Sequence, residues 1–525
     1  MALAENPLLL TTLLFVKRWV GYLPTKKCRL YEEMIKLLLV TWNAAGHDKL
    51  DMDETEPQLA FVAYRMTMLG HQKITRDKLE KYIIEARNAL PELLGYTEVS
   101  PSKFIDQVEE RSSLLIQMGL EENDKGKLVP SYEFSHLSFQ EYLTAKAIAE
   151  SWLPASNSND DLLDVLKPHI NKDHWIEVIP LAAVLSGRHA KSLLEYLVRI
   201  SRIDNERKQD SHKNIALLHL ANCVACEVPM SQDLLEKAIV CIAKGKSKIE
   251  RINLRINSVP YSSSSINVFS TITKSKYGSL YREIIERELF PVTEDNYLYN
   301  FADLWIWISL SDYENNTDEQ LILDLIKSNE HKNKVTGALL MMQRTFKSIH
   351  ELPQISRHIQ NTELTVEIFE NLLKLLYEDN RLSIFAAAWC IAWSGYNEKD
   401  IIPHELIPAI ATRLTSLWMD TVSSGDLKRT ISWALYCICM PGLQINKSEE
   451  LFEAIERNYK ESGNNYDRAA ALHLAVLTNY WTPSVIKPKL KNHEFPLSVR
   501  IEKSRFLLEM GLLEKKEERR RLQTV

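Results

Sequence analysis

The sequence predicts a predominantly α-helical protein in which one small β-hairpin interrupts the helices and irregular helical repeats follow. Three observations predict it. Apolar residues recur at helical spacing over most of the 525 residues. Period-2 alternation around a charged turn stands out between residues 114 and 136, with a weaker stretch near Ile266 to Ile272. Only 15 glycines occur, too few to favour sandwiches, barrels or Gly-rich nucleotide folds.

Residues 1–50 read as helices. "PLLLTTLLFVKRW" starts one after Pro7, and "LPTKKCRLYEEMIKLLLVTW" another, with Pro24 near its first turn. Leu30, Met34, Leu37, Leu38 and Val40 give that second helix an apolar face. The polar break "NAAGHDKLDMDETEP" follows. In residues 51–150, "PQLAFVAYRMTMLG", "TRDKLEKYIIEARNAL" and "PSKFIDQVEERSSLLIQMG" read as three helices. "LLIQMGLEENDKGKLVPSYEFSH" then offers two strands around a turn at Asp124 to Gly126. Helices followed by a hairpin make the pattern of a winged helix.

The hairpin runs into "YEFSHLSFQEYLTA" (Tyr132 to Ala145). Tyr132, Phe134 and His136 alternate with Glu133 and Ser135, as in a strand. Ser138 and Glu141 have capping-box spacing, so a helix is expected to start at about Phe139. His136 is thus expected, exposed, at a strand-to-helix junction, where free N–H groups and a helix dipole favour an anion.

Residues 151–258 read as a helical linker domain, and the Ser-rich 258–279 stretch as a linker with little helix. In residues 280–525, helices begin similarly near Lys334, Arg381, Arg429 and Arg468. The gaps are 47, 48 and 39 residues, near the period of HEAT-like repeats. Unrelated amphipathic helices with a shared Ala-rich face are the plain alternative. The end, "EKKEERRRLQTV", reads as a charged tail.

Composition narrows the function. A formal net charge of −6 argues against broad nucleic-acid or anionic-membrane binding. The seven cysteines, an odd number without framework spacing, read as buried reduced thiols of a cytoplasmic protein. "PLLLTTLLFV" is about half the length a bilayer needs, so no membrane association is expected. The "PSKFIDQVEERSSLLIQ" helix sets one Lys and one Arg against Asp106, Glu109 and Glu110, a balance that would repel DNA phosphate. "GKSK" (Gly245 to Lys248) contains the Gly-Lys-Ser of a phosphate loop, but Val240 stands where the first glycine belongs. A helix C-terminus fits it better. "CVAC" (Cys223 to Cys226) has no second ligand pair at finger spacing, so buried helix cysteines are expected and no metal site.

The hairpin followed by Phe134, His136, Phe139, Gln140, Glu141 and Tyr142 resembles the winged-helix region of NACHT proteins, a branch of the STAND class of signalling NTPases. The Asn-Pro-Leu-Leu-Leu start at Asn6 and the Leu-Pro…Leu-Tyr-Glu helix resemble the helical subdomain that closes a NACHT nucleotide module. The resemblance covers about residues 1–150. It implies that Pro7 packs near the adenine and that His136 contacts the β-phosphate of bound ADP. It also implies that the phosphate loop, the Mg²⁺-binding acidic strand and the arginine sensor precede Asn6. ADP or ATP is therefore expected only together with an upstream NACHT module, and no catalysis from this chain alone.

The expected function is the regulatory and sensor half of a nucleotide-gated signalling switch. The resemblance implies an upstream NACHT or effector polypeptide, a protein trigger at the helical domain, and homo-oligomers on activation. The composition reads as bacterial, where such proteins often serve anti-phage defence; that step rests on family analogy. The competing reading is a helical-repeat interaction scaffold with no nucleotide role.

Overall fold

A computed structural model describes residues 7–24, 26–41, 50–154, 161–206, 215–249, 263–290, 297–312, 318–350, 363–397, 401–420, 425–440, 442–462, 465–482 and 484–486. The chain divides into two compact units, Met1–Ile284 and Ile285–Val525.

In the first unit, α1 (Pro7–Val20) packs on α2 (Lys27–Lys36), and a π-helical turn, Leu37–Thr41, continues α2. Pro24 lies ahead of α2 rather than in its first turn, because extended Lys26 is the N-cap. Then come α3 (Met52–Met68), β1 (Lys73–Thr75), α4 (Arg76–Ala89), α5 (Pro91–Leu94), α6 (Pro101–Ser112), β2 (Leu115–Glu122), β3 (Leu128–Phe134) and α7 (Leu137–Ala149). Local chemistry sets several starts. The side chains of Asp51 and Ser100 accept the N–H groups of Asp53 and Lys103, and Pro101 opens α6. Ser113, in the left-handed region at φ 51°, ends α6, so the strand starts sooner than the helical reading of "SSLLIQMG" implied.

The hairpin forms around the expected turn, where the Gly126 N–H bonds Asn123 O at 2.9 Å. The antiparallel sheet has a third member that the sequence reading missed. Its order is β1-β3-β2, with Ile74 opposite Tyr132. Arg76 fixes the corner after β1 by donating to the Tyr132 hydroxyl at 3.0 Å and to Asp106 at 2.7 Å. Helix α3 carries the winged-helix core: Phe61 packs with Ala86, Leu90 and Leu94. Lys146 and Glu56, 2.6 Å apart, tie α7 to α3.

The unit continues with α8 (Leu162–Leu166), α9 (Val178–Ser186), α10 (Lys191–Glu206), α11 (Ala216–Ala225), α12 (Gln232–Lys244), α13 (Ser263–Lys274) and α14 (Gly278–Leu289), which crosses into the second unit. Helix α13 corrects two expectations, since the Ser-rich stretch is helical over 263–274 and Ile266 to Ile272 form no strand. Ile272 is buried and Phe269 and Val268 nearly so, which gives that stretch a helical apolar face. Gly245 caps α12 at φ −97°, and a β-carbon there would lie 2.1 Å from a Leu217 methyl carbon. Close packing explains this glycine; a left-handed C′ position does not.

The second unit holds α15 (Leu298–Asp312), α16 (Glu319–Lys327), α17 (His331–His350), α18 (Glu363–Leu375), α19 (Arg381–Asn397), α20 (Ile407–Asp420), α21 (Asp426–Ile438), α22 (Glu449–Glu461) and α23 (Asn465–Leu477). Helices α17, α19, α21 and α23 stack in succession, and each packs with the helix before it in the chain. These are the four helices whose similar starts suggested repeats, so helical-repeat packing is present. Lys334 of α17 meets Glu378 at 2.7 Å, between one repeat and the next.

Candidate functional site

The candidate site is the junction from β3 into α7. Strand β3 ends at Phe134, and the Ser135 N–H bonds Leu114 O at 2.9 Å. His136 follows with extended backbone, φ −150° and ψ 140°, and its ring Nδ1 accepts the Ser138 N–H at 3.1 Å. This overturns the expected capping box. His136 is itself the N-cap, and α7 starts at Leu137. An imidazole nitrogen two residues upstream reaches the first free N–H before the Ser138 hydroxyl can serve.

The side chain is half-buried rather than exposed. Its ring stands edge-on to buried Phe139, centroids 6.4 Å apart. Phe139 in turn meets Tyr31 of α2 at 6.5 Å, and Tyr31 meets Tyr142 at 5.9 Å. Burial holds the His136 pKa below its ordinary value, so the ring is neutral at pH 7. With Nδ1 accepting, the proton sits on Nε2, and Nε2–H can donate to an anionic oxygen.

Glu141 belongs to the same layer but does not cap. Burial first, then the nearby Glu177 carboxylate, push its pKa up to about 8, against the pull of Lys27. Lys27 of α2 pairs with Glu177, just ahead of α9, and is held above its ordinary value. Gln140 is structural as well. Its amide donates to Thr67 Oγ1 at 3.1 Å and His71 O at 3.0 Å, fixing α7 to α3. The sequence assigned no role to Lys27 or Glu177, because nothing local links Lys27 to a helix more than a hundred residues on or to Glu177, 150 residues away.

Pro7 is the first residue of α1, as its fixed φ favours. Its side chain lies outside the described residues, so its pairing with His136 about one nucleotide belongs to the proposal below. The Gly-Lys-Ser stretch follows helix α12, and Cys223 and Cys226 sit in and just after α11. Among the described residues no group of three or more His, Cys, Asp or Glu has metal-binding geometry, and no helix is long and apolar enough to cross a membrane.

Residues 27–148 match the family described as the winged helix-turn-helix domain C-terminal to NACHT. Residues 27–148 are thus a winged helix of the kind that accompanies NACHT modules. No curated protein matches the chain. Among solved structures, the crystal structure of an engineered protein is similar at 15% identity and a TM-score of 0.29, covering 72% of this chain and 96% of that one. At that score the likeness carries no structural argument.

Proposed function

We propose, from the premise that residues 27–148 are the winged helix that accompanies NACHT, that this chain is the regulatory and sensor half of a nucleotide-gated switch. One observation supports it above the others. His136 is neutral, and its Nδ1 is occupied by the Ser138 N–H, so Nε2–H is directed to donate. In that state a histidine can donate one hydrogen bond to a phosphate oxygen of ADP. The nucleotide, ADP at rest and ATP on activation, is held by an upstream NACHT module, with Pro7 against the adenine.

The helical repeats of the second unit act as sensor and brake, reading a protein trigger across their stacked faces. Trigger binding favours the open state, nucleotide exchanges, and subunits oligomerise. The protein works in the cytoplasm, with an effector polypeptide as its output and anti-phage defence as its setting.

The test joins this chain to its NACHT module and replaces His136 with Ser, which keeps an N-cap acceptor but removes the ring donor. Loss of one charge-assisted hydrogen bond, roughly 1.5–3 kcal/mol, weakens ADP retention about ten- to a hundred-fold and raises oligomer content without trigger. Unchanged ADP retention in a monomeric variant returns His136 to a purely capping role.

A further inference from the structure

The turn that ends α2 is wider than an α-turn. Residues Leu37–Thr41 form a π-helix. The N–H of Leu37, its first residue, still bonds Glu33 O and Met34 O of α2, so the wider turn follows directly on α-helical hydrogen bonding. A π-turn is less favourable than an α-turn and persists only where other contacts hold it.

Two kinds of contact hold this one. Leu38 and Leu39 are fully buried and Leu37 nearly so. Arg111, from the last turn of α6 and itself only 4% exposed, donates from Nε to Leu39 O at 3.3 Å and from Nη2 to Val40 O at 3.1 Å. Carbonyls at a helix end lack intrahelical partners, and a guanidinium suits the negative end of the dipole. The dependence is mutual, since a buried guanidinium needs acceptors as much as the carbonyls need donors.

We infer that Leu37–Thr41 is a two-register hinge and that Arg111 is the positioning residue that selects its π register. Released from Arg111, the segment interconverts between the π register and α-helical hydrogen bonding with one residue fewer in the turn, and its amides open at each crossing. The chain ahead of the turn then rotates by about 100° and shifts by about 1.5 Å relative to the chain beyond it. Helix α2 carries Tyr31 against Phe139 and Lys27 against Glu177, so such a step changes how α2 sits beside the His136 helix. Nucleotide plays no part in the hinge, and the 525-residue chain alone reads it.

The experiment is hydrogen–deuterium exchange of the full chain. Arg111→Met removes both hydrogen bonds and speeds exchange of the 37–41 amides at least tenfold, while α3 and α4 keep their rates. Arg111→Lys gives a smaller excess. Deleting Val40, which is 40% exposed and costs little core, in the Arg111→Met background restores slow exchange, because an α-turn does not need the guanidinium. Unchanged exchange at 37–41 in Arg111→Met, or no rescue on deleting Val40, overturns the hinge. Should Arg111→Met unfold the whole winged helix, Arg111→Lys decides: no excess exchange at 37–41 overturns it.

Discussion

His136 Nδ1 accepts the backbone N–H of Ser138 at 3.1 Å, so one ring both starts helix α7 and fixes which of its nitrogens carries the proton. The ring's two roles can be separated because capping needs only an acceptor.

On the chain alone, His136→Ser and His136→Asn leave thermal stability within a few tenths of a kcal/mol of the parent, since both side chains cap well. His136→Leu has no acceptor and loses about 1 kcal/mol. Thermal melts of the three variants measure this. Equal losses for Ser and Leu would show that ring packing on Phe139, and not the cap, is what His136 contributes to stability.

Glu141 sets a pH dependence with a definite sign. Its folded pKa, about 8, lies above its unfolded value, so its contribution is fully present at low pH and is lost as pH rises through 8. Glu141→Gln mimics the protonated carboxyl. The Tm of the variant therefore matches the parent at about pH 4, below the unfolded value, and exceeds it at about pH 8.5, above the folded pKa. A gap that is widest at about pH 4 would place the carboxylate, not the acid, in the folded state.

Gly337 of α17 faces α16 closely. A β-carbon there would lie 2.7 Å from Ile326 Cγ1 and 3.0 Å from both Ile322 O and Ile326 N. Gly337→Ala gains about 1 kcal/mol of helix propensity, but overpacking against backbone costs about 1–3 kcal/mol. The expected net is a Tm lowered by a few degrees, read by calorimetry. A raised Tm would mean that the two helices separate freely.

The 525-residue chain by itself is expected to show no ATP turnover. Its Gly-Lys-Ser follows a helix and lacks the first loop glycine, so nothing there cradles phosphates and Mg²⁺ together. Phosphate release clearly above background, surviving a contamination control, would contradict this.

Most of the helices, the hairpin and the strand-to-helix junction at His136 were legible in the order of residues alone. Apolar spacing along the chain reports which face of a segment is buried, and that needs no knowledge of the partner. The stacked helices α17, α19, α21 and α23 could be read from their similar starts, and the junction at His136 from strand alternation meeting a helix signal. Other features came only with packing. Strand β1 has three residues and no pattern of its own, and it exists because β3 offers an edge beside Ile74 and Thr75. The N-cap passed from Ser138 to His136 because the ring nitrogen reaches the Ser138 N–H when Phe139 packs under it. Glu141 reads as a capping carboxylate until Glu177, distant in the chain, is set beside it. Arg111 looks like any charged helix end until the carbonyls of Leu39 and Val40 arrive. Periodicity is set by neighbours three or four residues apart, whereas a polar group's partner and protonation come from elements tens of residues away, which only packing brings together.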